Sequence, residues 1–409
     1  MRLHFLVSAP LLLVIFMLSP APAAAQENTC LAILDRALSS LGTNCAGLNR
    51  NNACYGYSDV AATFNQTVPA DFFSMPSDRA ELRVLDTLQT APLNEETGEW
   101  GIATLNVQAN LPGALPGQSV VYLLLGAVEL QNAVPPEDAL ILPATPLEVT
   151  AAQAMQLRSR PDAQAGVAST IQAGTPLLAD GVSPDGQWVR VFFMAGRQAT
   201  AWASVDDLEA ADLSALPVIG PRSRTPMQAF QLRTGVGGVT CEDAPSFLLI
   251  QGPDNIEVDI NANGADIRIG SLIVLFTLPD GTLQIIVISG GATLNPNSPN
   301  PIHLPPGFTS LCPGASALTG NCDWSSPRII TVGEEQILQI INRIFVRAPN
   351  LFHYVVLVPD LVCASGVGGV VCELIFANPD LALARAREQC SSGQLSAGMC
   401  RILFPAETS

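Results

Sequence analysis

The chain has 409 residues and a formal charge of −17; 48% of it is apolar and only 13% charged. That balance allows a sizeable core and excludes a disordered chain, while the acidic surface excludes nucleic acid and anionic membranes as partners. All 19 basic residues are arginine, and the absence of lysine excludes Schiff-base chemistry, Ser-Lys dyads and a phosphate-loop lysine.

Arg2, the apolar run from Phe5 to Leu18 and Pro20-Ala-Pro-Ala-Ala-Ala25 read as a signal peptide, residues 1–25, cleaved after Ala25. The run is shorter than the ~20 residues of a comfortable membrane helix, so no membrane span is expected after cleavage. All 10 cysteines follow the cleavage point, and an even set in an exported chain reads as disulfides. Cys312 with Cys322, Cys363 with Cys372 and Cys390 with Cys400 would each close a loop of about ten residues. This leaves Cys30, Cys45, Cys54 and Cys241, of which one N-terminal member is expected to cross to Cys241.

Residues 26–78 read as a cysteine-bearing helical segment. Asn28 or Thr29 can cap a helix carrying Leu31, Leu34 and Leu38 at helical spacing, and Gly42 can end it. Residues 79–147 read as a β module. Leu105, Val107, Ala109 and Leu111 alternate with Thr104, Asn106, Gln108 and Asn110, the pattern of a half-buried strand. Ser119 to Leu125 is apolar nearly throughout, and so an interior strand. Proline-rich stretches at 134–146, 216–226 and 294–307 oppose helix and central strand and read as linkers or long ordered loops. From residue 312 to 409 the pattern is α+β and again bears cysteines. Thr331-Val-Gly-Glu334 has capping-box spacing, and Ile337, Leu338, Ile341, Ile344 and Phe345 mark one apolar face. Tyr354 to Val358 reads as a strand, and a last helix is expected from Asn378-Pro379-Asp380. Gly235-Val-Gly-Gly-Val-Thr-Cys241-Glu242 recurs as Gly366-Val-Gly-Gly-Val-Val-Cys372-Glu373, a pair of glycine turns leading into strands.

Residues 148–212 carry the most specific motifs. They include Gln156-Leu-Arg-Ser-Arg-Pro161, Val167-Ala-Ser-Thr-Ile171, Asp185-Gly-Gln-Trp-Val-Arg-Val191 and Ala201-Trp202-Ala203. In order and spacing this stretch resembles the bacterial Src-homology-3-like (SH3b) domain over about 148–209, departing from it where Ala201 replaces a preferred glycine. The resemblance implies a small barrel that binds cell-wall peptides or surface polymers in a shallow groove, with Arg158, Arg160, Trp188 and Trp202 as groove candidates. Strand alternation puts Trp188, Arg190 and Phe192 on one face and Val189 and Val191 on the other. Residues 225–311 form a further β domain. Within it Ala265-Asp-Ile-Arg-Ile-Gly-Ser271, Thr277-Leu-Pro-Asp-Gly281, Ile285-Ile-Val-Ile-Ser-Gly-Gly291 and His303-Leu-Pro-Pro-Gly307 resemble a FecR-type β domain of envelope proteins.

No catalytic constellation stands out. His303 and His353 are the only histidines after Ala25 and lie in no metal-ligand array, so neither a metal nor another cofactor is expected. No G-x-S-x-G elbow occurs. A carboxylate pair is all a glycosidase needs, so glycan cleavage stays open as an alternative; Glu95-Glu96 and Asp206-Asp207 read as surface charges. The sequence therefore points to a multidomain, mainly β chain. It would contain a small SH3-like barrel and further β modules, flanked by short cysteine-bearing helical segments at both ends. The function expected is a non-catalytic binding or scaffolding protein, secreted or held at the cell envelope. Its partner would be a cell-wall peptide, a surface polymer or an envelope protein. An extracellular sensor or a glycan-cleaving cell-wall hydrolase are the alternatives.

Overall fold

The structure, a computed structural model, describes residues 30–351 and 360–375 apart from 110–118, 144, 195–197, 221–222, 236–244, 254–256, 315–320, 349–350 and 367–368. The chain is mainly β, with 44% of the described residues in strands and two helices among them. The first half runs α1 (Cys30–Asn44), β1 (Asn52–Tyr55), β2 (Val60–Phe64), β3 (Arg79–Glu81), β4 (Leu85–Thr90), β5 (Ile102–Val107), β6 (Val120–Leu125) and β7 (Val128–Asn132). Next come β8 (Leu147–Thr150), β9 (Met155–Arg158), β10 (Val167–Ile171), β11 (Pro176–Val182), β12 (Trp188–Met194) and β13 (Gln198–Ser204). The chain then continues through β14 (Ala229–Thr234), β15 (Phe247–Gln251), β16 (Val258–Ala262), β17 (Ala265–Ile269), β18 (Leu272–Thr277) and β19 (Leu283–Ser289). It ends with β20 (Ala292–Leu294), β21 (Ile302–Leu304), β22 (Phe308–Cys312), β23 (Arg328–Ile329), α2 (Val332–Arg347), β24 (Asp360–Gly366) and β25 (Gly369–Ile375).

Two large sheets face each other. One has nine strands in the order β23-β22-β19-β18-β15-β6-β5-β1-β3, the other eight in the order β2-β4-β7-β14-β16-β17-β20-β21. Inward residues of both sheets make one core, in which Leu105, Tyr122, Leu124, Ile250 and Leu275 of the nine-stranded sheet meet Leu88, Leu130, Phe230, Ile260 and Ile267 of the other. Tyr122 and Phe230 meet edge to face at 5.5 Å, and burial pushes the Tyr122 phenol up. Such two-sheet packing is the ordinary way for alternating strands to bury an apolar face.

Both helices lie on the outer face of the nine-stranded sheet. Ile33, Leu34, Leu38 and Leu41 of α1 and Ile337, Leu338, Ile341, Ile344 and Phe345 of α2 share a second core with Val121, Leu123, Leu125, Phe247 and Leu249. This explains β6, where Val120, Tyr122 and Leu124 face the inner core while Val121, Leu123 and Leu125 face the helices. It also corrects the half-buried reading of residues 104–109. Leu105, Val107 and Ala109 do face the inner core, but Thr104 and Gln108 are buried as well. The face that alternation alone assigned to solvent is covered: Thr104 stands between Cys54 and Leu123 of the helix-side core, and Gln108 bonds with Asn51, beyond α1. Gly42 does not end α1, which continues to Asn44. A Cβ on Gly42 would stand 3.2 Å from the Ala348 Cα, so this glycine lets α1 approach the end of α2 closely. Asp35 of α1 accepts hydrogen bonds from Arg343 at 3.1 Å and Arg347 at 2.9 Å.

The capping box at the start of α2 forms as its sequence implies. The Thr331 N–H donates to Glu334 Oε2 at 2.6 Å. Arg328 of β23 donates to both Glu334 oxygens at 2.7 and 3.0 Å, and the Gln284 amide of β19 also donates to Glu334. Burial works to raise this carboxyl, but the Arg328 guanidinium, Thr331 and Gln284 together outweigh it and hold the value at about 2. A folded value below the ordinary 4.5 contributes stability that is full above pH 4.5 and is lost as pH falls towards about 2. Glu334→Gln should therefore flatten the acid limb of a melting-temperature profile in that window. An unchanged acid limb would show that the clamp adds nothing to folding.

Cys312–Cys322 closes as expected. Cys45 pairs with Cys54, and Cys30 is also disulfide-bonded. Cys363 and Cys372 stand directly opposite in the β24–β25 hairpin register, a placement whose backbone spacing suits a disulfide. Cys241, Cys390 and Cys400 lie outside the described residues, as do the signal peptide, Tyr354 to Val358 and the last helix. With Cys45 and Cys54 joined, the crossing to Cys241 falls to Cys30. Cys30 packs in the same cluster as Phe247, six positions beyond Cys241. Non-reducing peptide mapping should recover Cys30 linked to Cys241; linkage to Cys390 or Cys400 would overturn this.

The residue ranges read separately as 26–78, 79–147, 225–311 and 312–409 share sheets. β6 of the second range pairs with β15 of the third, β7 pairs with β14, and β22 pairs with β23. Strands β17 to β22, which hold the motifs of the expected FecR-type domain, divide between both large sheets. The Pro279-Asp-Gly281 turn joins β18 to β19, with Gly281 at φ +82°. The third proline-rich stretch is neither linker nor long loop in full, because β20 and β21 pair across it. Residues 147–204 stand apart as a six-stranded sheet in the order β10-β9-β13-β12-β11-β8. It interrupts the sandwich between β7 and β14, which pair with each other.

Candidate functional site

The six-stranded sheet has its own core of Val149, Met155, Leu157, Leu177, Ala179, Val189, Val191, Phe193, Ala201 and Ala203. A small barrel was expected, but the six strands form an open sheet whose hydrogen-bonded order ends at β10 and β8 without closing. Val189 and Val191 face the core, so Trp188, Arg190 and Phe192 point to the opposite face. That outer face holds Arg158 of β9, Trp188 of β12 and Trp202 of β13, with Arg160 just beyond β9, and is the candidate site.

Register sets out one row across it. Gly181 of β11 opposes Arg190 of β12, Arg190 opposes Trp202 of β13, Trp202 opposes Arg158 of β9, and Arg158 opposes Val167 of β10. The sheet thus brings Arg158 and Trp202 together, with Arg190 on the other side of the indole. The three long side chains of this row are already engaged. Arg158 donates to the Ala165 carbonyl at 3.1 Å and so fastens the 159–166 turn. Trp202 packs on Leu140, Leu142 and Ile219. Arg190 makes two parallel bonds to Asp180, Nε to Oδ1 and Nη2 to Oδ2, both 2.7 Å.

Asp180 is fully buried and Arg190 nearly so, at 0% and 8% exposure. Two buried charges demand each other, because neither can be desolvated alone at tolerable cost. Sequence reasoning missed this pair. The signal available was Asp180 standing within an apolar strand, where a charge needs a partner. The partner could not be read off, since a bulge between Ala179 and Gly181 shifts the register against β12.

The other two candidates are freer. Arg160 lies just beyond β9 and is exposed, and Trp188 is half-buried at the start of β12. Trp188 follows the tight β11–β12 turn. There Gly186 takes φ +69°, the Ser183 hydroxyl accepts the Trp188 N–H at 3.0 Å, and Asp185 accepts the Gln187 N–H at 3.0 Å. The Ser183 hydroxyl and then the Gln187 N–H lower the Asp185 carboxyl. This local network fixes where the Trp188 ring leaves the sheet.

Comparison with protein-family models, curated proteins and solved structures found no match for this chain. Among the described residues, no three His, Cys, Asp or Glu side chains gather as metal ligands. Glu95 and Glu96 are exposed in the turn before β5, and Asp206 and Asp207 lie in a single 3₁₀ turn after β13.

Proposed function

We propose that this chain is an exported, non-catalytic binding or scaffolding protein of the bacterial cell envelope. Its six-stranded sheet serves as an SH3-like module for a cell-wall peptide or surface polymer. The observation that carries this reading is the exposure of Arg160 and the half-burial of Trp188, towards opposite ends of the row set by Arg158, Trp202 and Arg190, on a unit with its own core. Arginine forks and aromatic faces suit carboxylate-bearing wall peptides, and no lysine is present to substitute. Two disulfides and the lack, among the described residues, of any helix able to cross a membrane accord with an extracytoplasmic setting.

The test is sedimentation of the full chain with purified cell walls. Arg160→Ala and Trp188→Ala should each reduce co-sedimentation about tenfold without loss of fold, a change of the size expected for losing a charge-assisted contact. Wild-type binding should weaken as salt rises. Arg158→Ala with Arg160→Ala should abolish binding, though Arg158 also holds the 159–166 turn. Undiminished sedimentation of the Arg160 and Trp188 variants would remove the site.

A further inference from the structure

We propose that Trp202 and the two segments leading into and out of the six-stranded sheet form a latch that fixes this sheet against the sandwich. Trp202 then belongs to the joint and contributes no ligand contact. The entry and exit segments pair with each other, the Leu140 N–H donating to the Arg224 carbonyl at 2.9 Å. Arg224 reaches back to the sandwich through Asp266 of β17, also at 2.9 Å. On the other side, the Val182 N–H donates to the Pro217 carbonyl at 2.9 Å and the Ile219 N–H to the Val182 carbonyl at 2.7 Å. The exit segment is thereby stitched to the end of β11.

The close approach needs Gly181. A Cβ there would come 2.1 Å from Ile219 Cδ1 and 3.0 Å from the Pro217 carbonyl oxygen. Leu140, Leu142 and Ile219 are buried at 4–8% exposure and form a cluster of their own with Trp202. None of these four belongs to the six-stranded core, so their burial stabilises the joint and not the sheet. A freely swivelling insertion is joined by solvated, flexible linkers. Here the linkers carry buried leucine and isoleucine and are stiffened by Pro143, Pro146 and Pro217.

The latch goes beyond the binding reading and does not depend on it. Limited proteolysis of the full chain, with fragments identified by mass, reads it directly. Trp202→Ala and Ile219→Ser should each speed cleavage within 134–146 or 209–220 by about tenfold or more, as local opening becomes cheaper. Trp188→Ala, outside the cluster, should leave the rate unchanged. Gly181→Ala should open the latch without altering any apolar member. If Trp202→Ala unfolds the sheet, Ile219→Ser decides, because Ile219 lies outside the six strands. Wild-type cleavage rates in Ile219→Ser and Gly181→Ala overturn the proposal. Absence of cell-wall binding by the wild-type chain would sink the functional reading and leave this test intact.

Discussion

Replacing Asp180 with alanine is expected to destabilise the six-stranded sheet by about 3–5 kcal/mol, the range for removing one partner of a buried ion pair. Asp180 is fully buried, and its two bonds to Arg190 are both 2.7 Å. The loss reflects a stranded guanidinium more than the net worth of the pair. Asp180→Leu combined with Arg190→Met should consequently cost much less than either single change, since apolar replacement of a buried pair is often close to neutral. Denaturant unfolding followed by fluorescence can locate the loss. Trp188 and Trp202 report on the six strands, while Trp100 and Trp324 sit in the helix-side and inner cores. Additive single and double costs would show that the two charges are not coupled.

Gly101→Ala is expected to be comparably severe for the sandwich. Gly101 lies where the chain leaves β4 of one large sheet for β5 of the other. Its N–H donates to the Ala91 carbonyl, and its own carbonyl accepts the Gly126 N–H at 3.0 Å. A Cβ there would stand 2.1 Å from the Ala91 nitrogen and 2.8 Å from the Ala91 carbonyl oxygen. Those atoms are backbone and cannot rotate away, so the two crossing segments must separate. Overpacking costs ~1–3 kcal/mol where side chains can yield; we expect the upper end or beyond. A melting temperature within error of wild type would mean the crossing relaxes freely. Gly47→Ala is the control for backbone strain alone, as Gly47 has positive φ and a Cβ there would meet nothing within 4 Å.

The local devices were legible. Thr331 and Glu334 announced their helix start because a capping box is written within four residues. Pro279-Asp-Gly281 announced its turn because glycine supplies the positive φ. Ser119 to Leu125 announced an interior strand because it has no polar face to offer water. The alternation of Trp188, Arg190 and Phe192 against Val189 and Val191 likewise placed the two faces of β12 before any register was known.

What the sequence by itself determined is part of the set of elements: strands with one or two apolar faces, some of their turns, two apolar helix stripes and the Cys312–Cys322 loop, while β1 and β2 stand in residues it read as helical. All of these follow from periodicity and from contacts within about ten residues. Only the tertiary structure decided that residues 79–147 and 225–311 share two sheets across the six-stranded insertion. It alone buried Thr104 and Gln108, joined Asp180 to Arg190 across a bulge, and packed Trp202 on Leu140, Leu142 and Ile219. Each of these depends on which surface meets which over long stretches of chain. An alternating strand specifies two faces but not what covers them, and a buried charge specifies the need for a partner but not its position.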